Sequence, residues 1–170
     1  MSDFALSQAL IGVAFFVDLA SFQFRKRRYV LACLSTAAFL IGLHFWLLET
    51  WTAAVLGFIA AVRFLTAMFT SSKRLLVLFL AAVLINAVYS YAGLLTVLAT
   101  LGSLLSTTAA FLAHDRSFRL CMMAASVIWI VHNVLAATPA AVVLETFFLG
   151  SNLVGYYRFY IRRRVPASGG

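Results

Sequence analysis

Residues 75–88, LLVLFLAAVLINAV, and 94–105, LLTVLATLGSLL, carry apolar side chains on consecutive rather than alternate positions. A membrane strand alternates in and out over about 9 to 11 residues, so these runs are helical. The whole chain follows the same pattern. Over 170 residues it is 64% hydrophobic and only 11% charged, with a mean hydropathy of +1.02, more apolar surface than a soluble domain of this length can hide in a core. The solvent is therefore lipid, and because hydrocarbon offers no hydrogen bonds, each stretch must satisfy its own backbone as a helix.

The formal charge of +8 and pI near 10.2 raise nucleic acid as a partner. That reading needs a soluble basic face with aromatic or groove-reading side chains, which is absent, so nucleic acid is excluded. Cys33 and Cys121 lie in apolar segments without disulfide or metal spacing and read as small packed residues. No metal and no cofactor are implied. The opening Met1-Ser2-Asp3 lacks the basic region of a signal peptide, which predicts that the first span stays in the protein. There is no nucleophile with a base, no closely paired carboxylates and no glycine-rich phosphate loop, so an enzyme is not expected.

Charges, glycines and prolines divide the chain into seven spans: Phe4–Phe22, Tyr29–Leu48, Thr52–Phe69, Arg74–Tyr91, Leu94–Ala113, Phe118–Ala136 and Ala140–Tyr160. Each runs to about one bilayer thickness. Basic residues collect on every second connection: Arg25 to Arg28, Lys73 with Arg74, Arg116 with Arg119, and Arg162 to Arg164. The other connections, Glu49-Thr50-Trp51, Ala92-Gly93 and Ala137-Thr138-Pro139, hold none. By the positive-inside rule the N-terminus faces the periplasm and the C-terminus the cytoplasm, with the basic clusters meeting anionic headgroups. Residues 162–170 are expected to form a disordered cytoplasmic tail.

A shift of 88 positions lays spans one to three over spans five to seven, pairing Arg28 with Arg116, Cys33 with Cys121, Ala37 with Ala125, His44 with His132, Leu47 with Leu135 and Ala53 with Ala141. The expected fold class is an all-α membrane protein of seven transmembrane helices, arranged as two parallel three-helix repeats joined by a linker helix, a 3+1+3 plan. Residues 1–71 form the first repeat, 72–92 the linker and 93–161 the second repeat. Carriers built this way place their solute site between the repeats.

Ionisable groups within spans cost roughly 2.5 to 3.5 kcal/mol on insertion scales, so each one needs a partner or a hydrated cavity. Arg63 is the mid-membrane cation, some 15 to 16 Å from either surface at 1.5 Å per residue. It reads either as half of a static ion pair or as a solute anchor, with Asp18 and Glu145 as the acids it pairs with or exchanges between. His44 and His132 sit at equivalent places about one turn below the outer surface; they either hydrogen-bond neighbouring helices or form a titrating pair near an outer gate. Asn133, Ser151 and Asn152 suit hydrogen bonds to a polar solute or between helices. Trp46, Trp51 and Trp129 read as interface anchors or packing, and Arg158 as a snorkelling residue.

Three stretches resemble one family over essentially the whole chain: Ser21-Phe22-Gln23 with the basic run to Arg28, His44-Phe45-Trp46-Leu47-Leu48 followed by Arg63, and Trp129-Ile130-Val131-His132-Asn133 followed by Glu145, Asn152 and Arg158. That family is the YgjV-type bacterial inner-membrane proteins. The chain departs from the pattern at Glu49, where the family has Gly, and at Ala60, where it has Asn. The resemblance implies an inner membrane and a transporter. In plan alone the chain is similar to the SWEET and PQ-loop group, carriers of small solutes that include a retrieval-signal receptor. The Pro-Gln pair of PQ-loop proteins is absent, so a hinge in spans one and five would fall to Gly12 and Gly102. The expected function is a facilitative or proton-coupled carrier of a small polar solute. The alternative is a receptor or binding protein for a lipid or peptide on the same scaffold, without transport.

Overall fold

The computed structural model describes residues 3–49, 51–89, 91–137 and 139–162. Among them the fold is all-α, with seven helices in order: α1 Asp3–Ser21, α2 Arg27–Leu47, α3 Trp51–Phe69, α4 Lys73–Tyr89, α5 Leu94–Phe111, α6 Asp115–Leu135 and α7 Pro139–Tyr156. These match the seven expected spans. Phe4–Ser21 within α1, together with α2, α5 and α6, are long and apolar enough to cross a hydrocarbon layer, and Leu56–Phe69 of α3 adds a shorter apolar stretch. Two ends differ from expectation by more than two residues. The sixth helix starts at Asp115 rather than Phe118, and the seventh gives way after Tyr156 to a π-helical turn, Tyr157–Ile161. Arg163, Arg164 and the rest of the expected tail lie outside the described residues.

Local chemistry sets the ends. Pro139 occupies the first position of α7, where its missing N–H and fixed φ do no harm. Gly93, with φ +83°, precedes α5 in a conformation a side chain would strain. The exits of α2 and α6 are alike. Leu48 N–H donates to His44 O and Glu49 N–H to Trp46 O; Ala136 N–H donates to His132 O and Ala137 N–H to Val134 O. Glu49 and Ala137 then turn through the left-handed region at φ 57° and 53°. The helix starts at Arg27 and Asp115, and at Trp51 and Pro139, also stand 88 residues apart.

The chain divides into two compact units, Met1–Thr70 and Ser71–Gly170. In the first, α2 packs on both α1 and α3. Its core is made of Ala14, Phe22, Val30, Leu31, Leu34 and Ala37, with Ala54, Phe64 and Ala67 from α3. Where α2 meets α3 the backbones nearly touch: a Cβ on Gly57 would come within 2.8 Å of Gly42 Cα. In the second unit α6 packs on α5 and α7, and α4 packs on α5. Gly102 leaves room on α5 for the indole of Trp129, whose Nε1 would stand 2.7 Å from a Cβ there. Gly12 meets nothing within 4 Å, and both α1 and α5 run unbroken through their glycines. The α4 helix, set apart as a linker by the sequence reading, buries none of its residues and touches α5 through Phe79 and Phe111, ring centroids 5.8 Å apart. Val88, Tyr89 and Phe69 are among many large apolar side chains left exposed, the expected outcome when lipid is the solvent.

Candidate functional site

In the first unit the polar groups are held mainly by backbone. His44 is 8% exposed, with Nδ1 2.9 Å from the carbonyl of Ser7 on α1. A carbonyl only accepts, so Nδ1 carries the proton in this contact. The ring also lies edge-on to Phe45 at 5.0 Å. Ser35 Oγ donates to Ala61 O across α2–α3 at 2.9 Å, and Arg27 Nη2 donates to Ala67 O at 3.2 Å. Arg63 on α3 is half-buried, its guanidinium 4.6 Å from the Phe64 ring centroid. Asp18 is half-buried on α1 and feels enough of α2 to interact electrostatically with Cys33. Trp46 is half-exposed beside Phe58, ring centroids 6.4 Å apart.

The second unit is organised differently. Ser126 on α6 stands close to the carboxyl of Glu145 on α7. Asn152 on α7, 1% exposed, donates from Nδ2 to Arg119 O at 2.9 Å. Ser151 beside it is also buried. His132 sits 3.2 Å through Nδ1 from Asn133 Oδ1 and stacks edge-on to Trp129 at 5.2 Å. Thus Asn152 and Glu145 are tied to α6, while His132 and Asn133 contact each other within it. Cys121 Sγ donates to Leu105 O on α5 at 3.4 Å.

The expected spans give no sign that Arg119 is buried, and none of the parts played by Asp115 and Tyr160. Arg119, one of the basic residues that the sequence assigns to a cytoplasmic connection, has a side chain 0% exposed, and its Nε donates to Asp115 Oδ2 at 2.8 Å. The reason is the earlier helix start, which puts both residues on one face of α6, a turn apart. Tyr160, carried round by the π turn, donates its hydroxyl to the same carboxylate oxygen. Phe159 lies 5.3 Å from the Arg119 guanidinium, and Arg116 Nε donates to Tyr156 OH at 3.0 Å. An acid four residues before an arginine was the signal for the first pair. Nothing in the sequence marks Tyr160. Arg158 is exposed, 5.2 Å from the Phe159 ring, in keeping with a snorkelling role.

Removing a guanidinium from water costs several kcal/mol, repaid only when geometry and remaining hydrogen bonds are good. Part of that repayment comes from the Asp115 carboxylate, placed in the first turn of α6 where the helix dipole also favours a negative charge. The contacts from Asp115 to Ser126 make the face between α6 and α7 a polar seam within an apolar bundle.

Comparison with known proteins agrees with this picture of an apolar helical chain. No solved structure matches. A family model described as bacterial inner membrane protein, Imp-YgjV, matches residues 5–163. The chain is also similar to the inner membrane protein YgjV of Escherichia coli strain K12, at 26% identity over 169 residues, covering 98% of this chain and 92% of that one. The resemblance read from the motifs around His44 and His132 therefore holds over nearly the full length, and the chain belongs to the YgjV family of bacterial inner membrane proteins.

Proposed function

We propose that this multi-pass inner-membrane chain is a carrier for a small polar solute, facilitative or proton-coupled, with its N-terminus in the periplasm and its C-terminus in the cytoplasm. Arg63 is its charge anchor. His44, His132, Asn133, Ser151 and Asn152 supply hydrogen bonds, and Asp18 and Glu145 are the acids that respond to the solute. The observation that supports this most is the correspondence of two helix pairs, α2–α3 and α6–α7. Each pair starts at positions 88 apart, and α2 and α6 leave through the same left-handed cap. Each pair also holds an ionisable residue in its apolar length, Arg63 in one and Glu145 in the other, at a depth hydrocarbon penalises by roughly 2.5 to 3.5 kcal/mol. Like-oriented three-helix repeats recur in carriers, and an ionisable residue held at that depth points to a pathway or to a partner that fixes packing.

The test is uptake by the purified protein in liposomes, using a panel of radiolabelled sugars, amino acids and carboxylic acids. At least one solute is expected to accumulate above protein-free vesicles. Arg63→Ala should reduce that flux about tenfold or more while the protein stays monodisperse in detergent. Unchanged flux in the variant removes Arg63 from the pathway. Saturable binding of a lipid or peptide without uptake would assign the chain to the receptor class instead.

A further inference from the structure

Three oxygens on the α6–α7 seam are buried and make no hydrogen bond: Glu145 Oε2, Asn152 Oδ1 and Asp115 Oδ1. All three are acceptors, and the partner atom of each side chain is already engaged. Glu145 has Ser126, Asn152 gives its Nδ2 to Arg119 O, and Asp115 receives Arg119 and Tyr160 on Oδ2. Through these contacts the oxygens are spaced down α6 opposite Ser126, Arg119 and Asp115. From Ser126 to Asp115 is eleven residues, or about 16 Å, half the hydrocarbon thickness. An acceptor in such a place carries a penalty unless a donor reaches it. A row of acceptors with no spare donor among them selects a ligand that brings hydrogens and positive charge.

We propose that the α6–α7 seam is a proton path, with Glu145 as its intramembrane proton-binding residue and Asn152 and Asp115 as the acceptors leading to the Asp115 end of α6. The occupant is a proton passed along hydrogen-bonded water or hydronium; the Glu145 carboxylate takes it up and releases it, with no other bond made or broken. The surroundings within this unit suit the role. The α5 helix, packed on α6, has no ionisable residue. On α6 the ionisable residues besides Asp115 are Arg116, Arg119, Cys121 and His132. The seam cation nearest Glu145 is Arg119, seven residues from Ser126 and already bonded to Asp115. The π turn adds Tyr157, Arg158 and Tyr160, the last committed to Asp115. The Ser126 hydroxyl stands beside the Glu145 carboxyl, whose buried Oε2 is left to the path. In the first unit the α2–α3 seam is closed by Gly42 against Gly57 and by side chains capping backbone carbonyls, leaving no corresponding row of acceptors among the described residues.

This deepens the carrier reading by naming its coupling ion, and rests on it. The experiment uses full-length protein in phosphatidylethanolamine–phosphatidylglycerol vesicles with a trapped pH dye, an outward potassium gradient and valinomycin to drive protons inward. Wild type should acidify the lumen about tenfold faster than protein-free vesicles. Glu145→Gln should return the rate to that background, Glu145→Asp should recover most of it, and Ser35→Ala in the other unit should leave it unchanged. Recovery in the aspartate variant separates loss of a carboxyl from loss of the fold. Wild-type acidification equal to protein-free vesicles overturns the proposal, as does undiminished flux in Glu145→Gln. Solute uptake that depends on Arg63 but persists without proton flux would leave the carrier standing and remove only the proton path.

Discussion

The seams α2–α3 and α6–α7 join helices that start at matching positions in the chain, yet they are sealed by different chemistry. In α2–α3 the closest approach is glycine on glycine, and the polar bonds run from Ser35 and Arg27 to backbone carbonyls. In α6–α7 the shift of 88 puts Ile130 and Glu145 where α2–α3 has Gly42 and Gly57, and beside one bond from Asn152 to the Arg119 carbonyl the contacts are side chain to side chain at Ser126, Asp115 and Tyr156. A seam of backbones in van der Waals contact gives a single close-packed arrangement. A seam of side-chain hydrogen bonds can exchange partners without separating the helices.

The largest effect should come from the polar seam. Asp115→Ala takes the carboxylate partner from a fully buried guanidinium and removes the acceptor of Tyr160, which should cost about 3 to 5 kcal/mol. Thermal unfolding in detergent will register this as a much lowered midpoint, and a midpoint unchanged from wild type would mean that Arg119 is not held by this carboxylate. Next comes the glycine seam. Gly57→Leu drives a side chain into Gly42 Cα and Ala38 O and should destabilise by about 3 kcal/mol, read by the same measurement. If it is tolerated, the backbones do not close as described and the contrast between the seams disappears.

The smallest effect sharpens what the two halves share. Glu49 follows α2 at φ 57°, a conformation that costs a non-glycine residue about 1 to 2 kcal/mol. Glu49→Gly should raise the unfolding midpoint by the equivalent of about 1 kcal/mol, with Ala137→Gly doing the same for α6.

The helices were legible from the sequence because lipid imposes long apolar runs, and Gly93 and Pro139 punctuate them where the backbone requires it. The placing of Arg63, His44 and His132 within apolar helices was legible for the same reason. Arg119 was not, because a charge a few residues into a helix looks the same whether it faces headgroups or a buried acid; only the three extra residues from Asp115 decide it. The Gly42–Gly57 contact and the closeness of Ser126 to Glu145 depend on which helix faces meet, information that hydropathy does not carry. His44 shows how a residue can be located correctly while its partner, the Ser7 carbonyl on another helix, stays unspecified.

The wide turn at Tyr157–Ile161 has an implication for how this end of the protein varies. A π turn is what one surplus residue leaves behind in an otherwise regular helix. A chain shorter by one residue there would wind normally, and everything beyond the cut would rotate by about 100°. Its equivalent of Tyr160 would then face away from the acid at the start of α6, so a single-codon deletion in this turn would alter the lock on Arg119 without touching any residue that forms it.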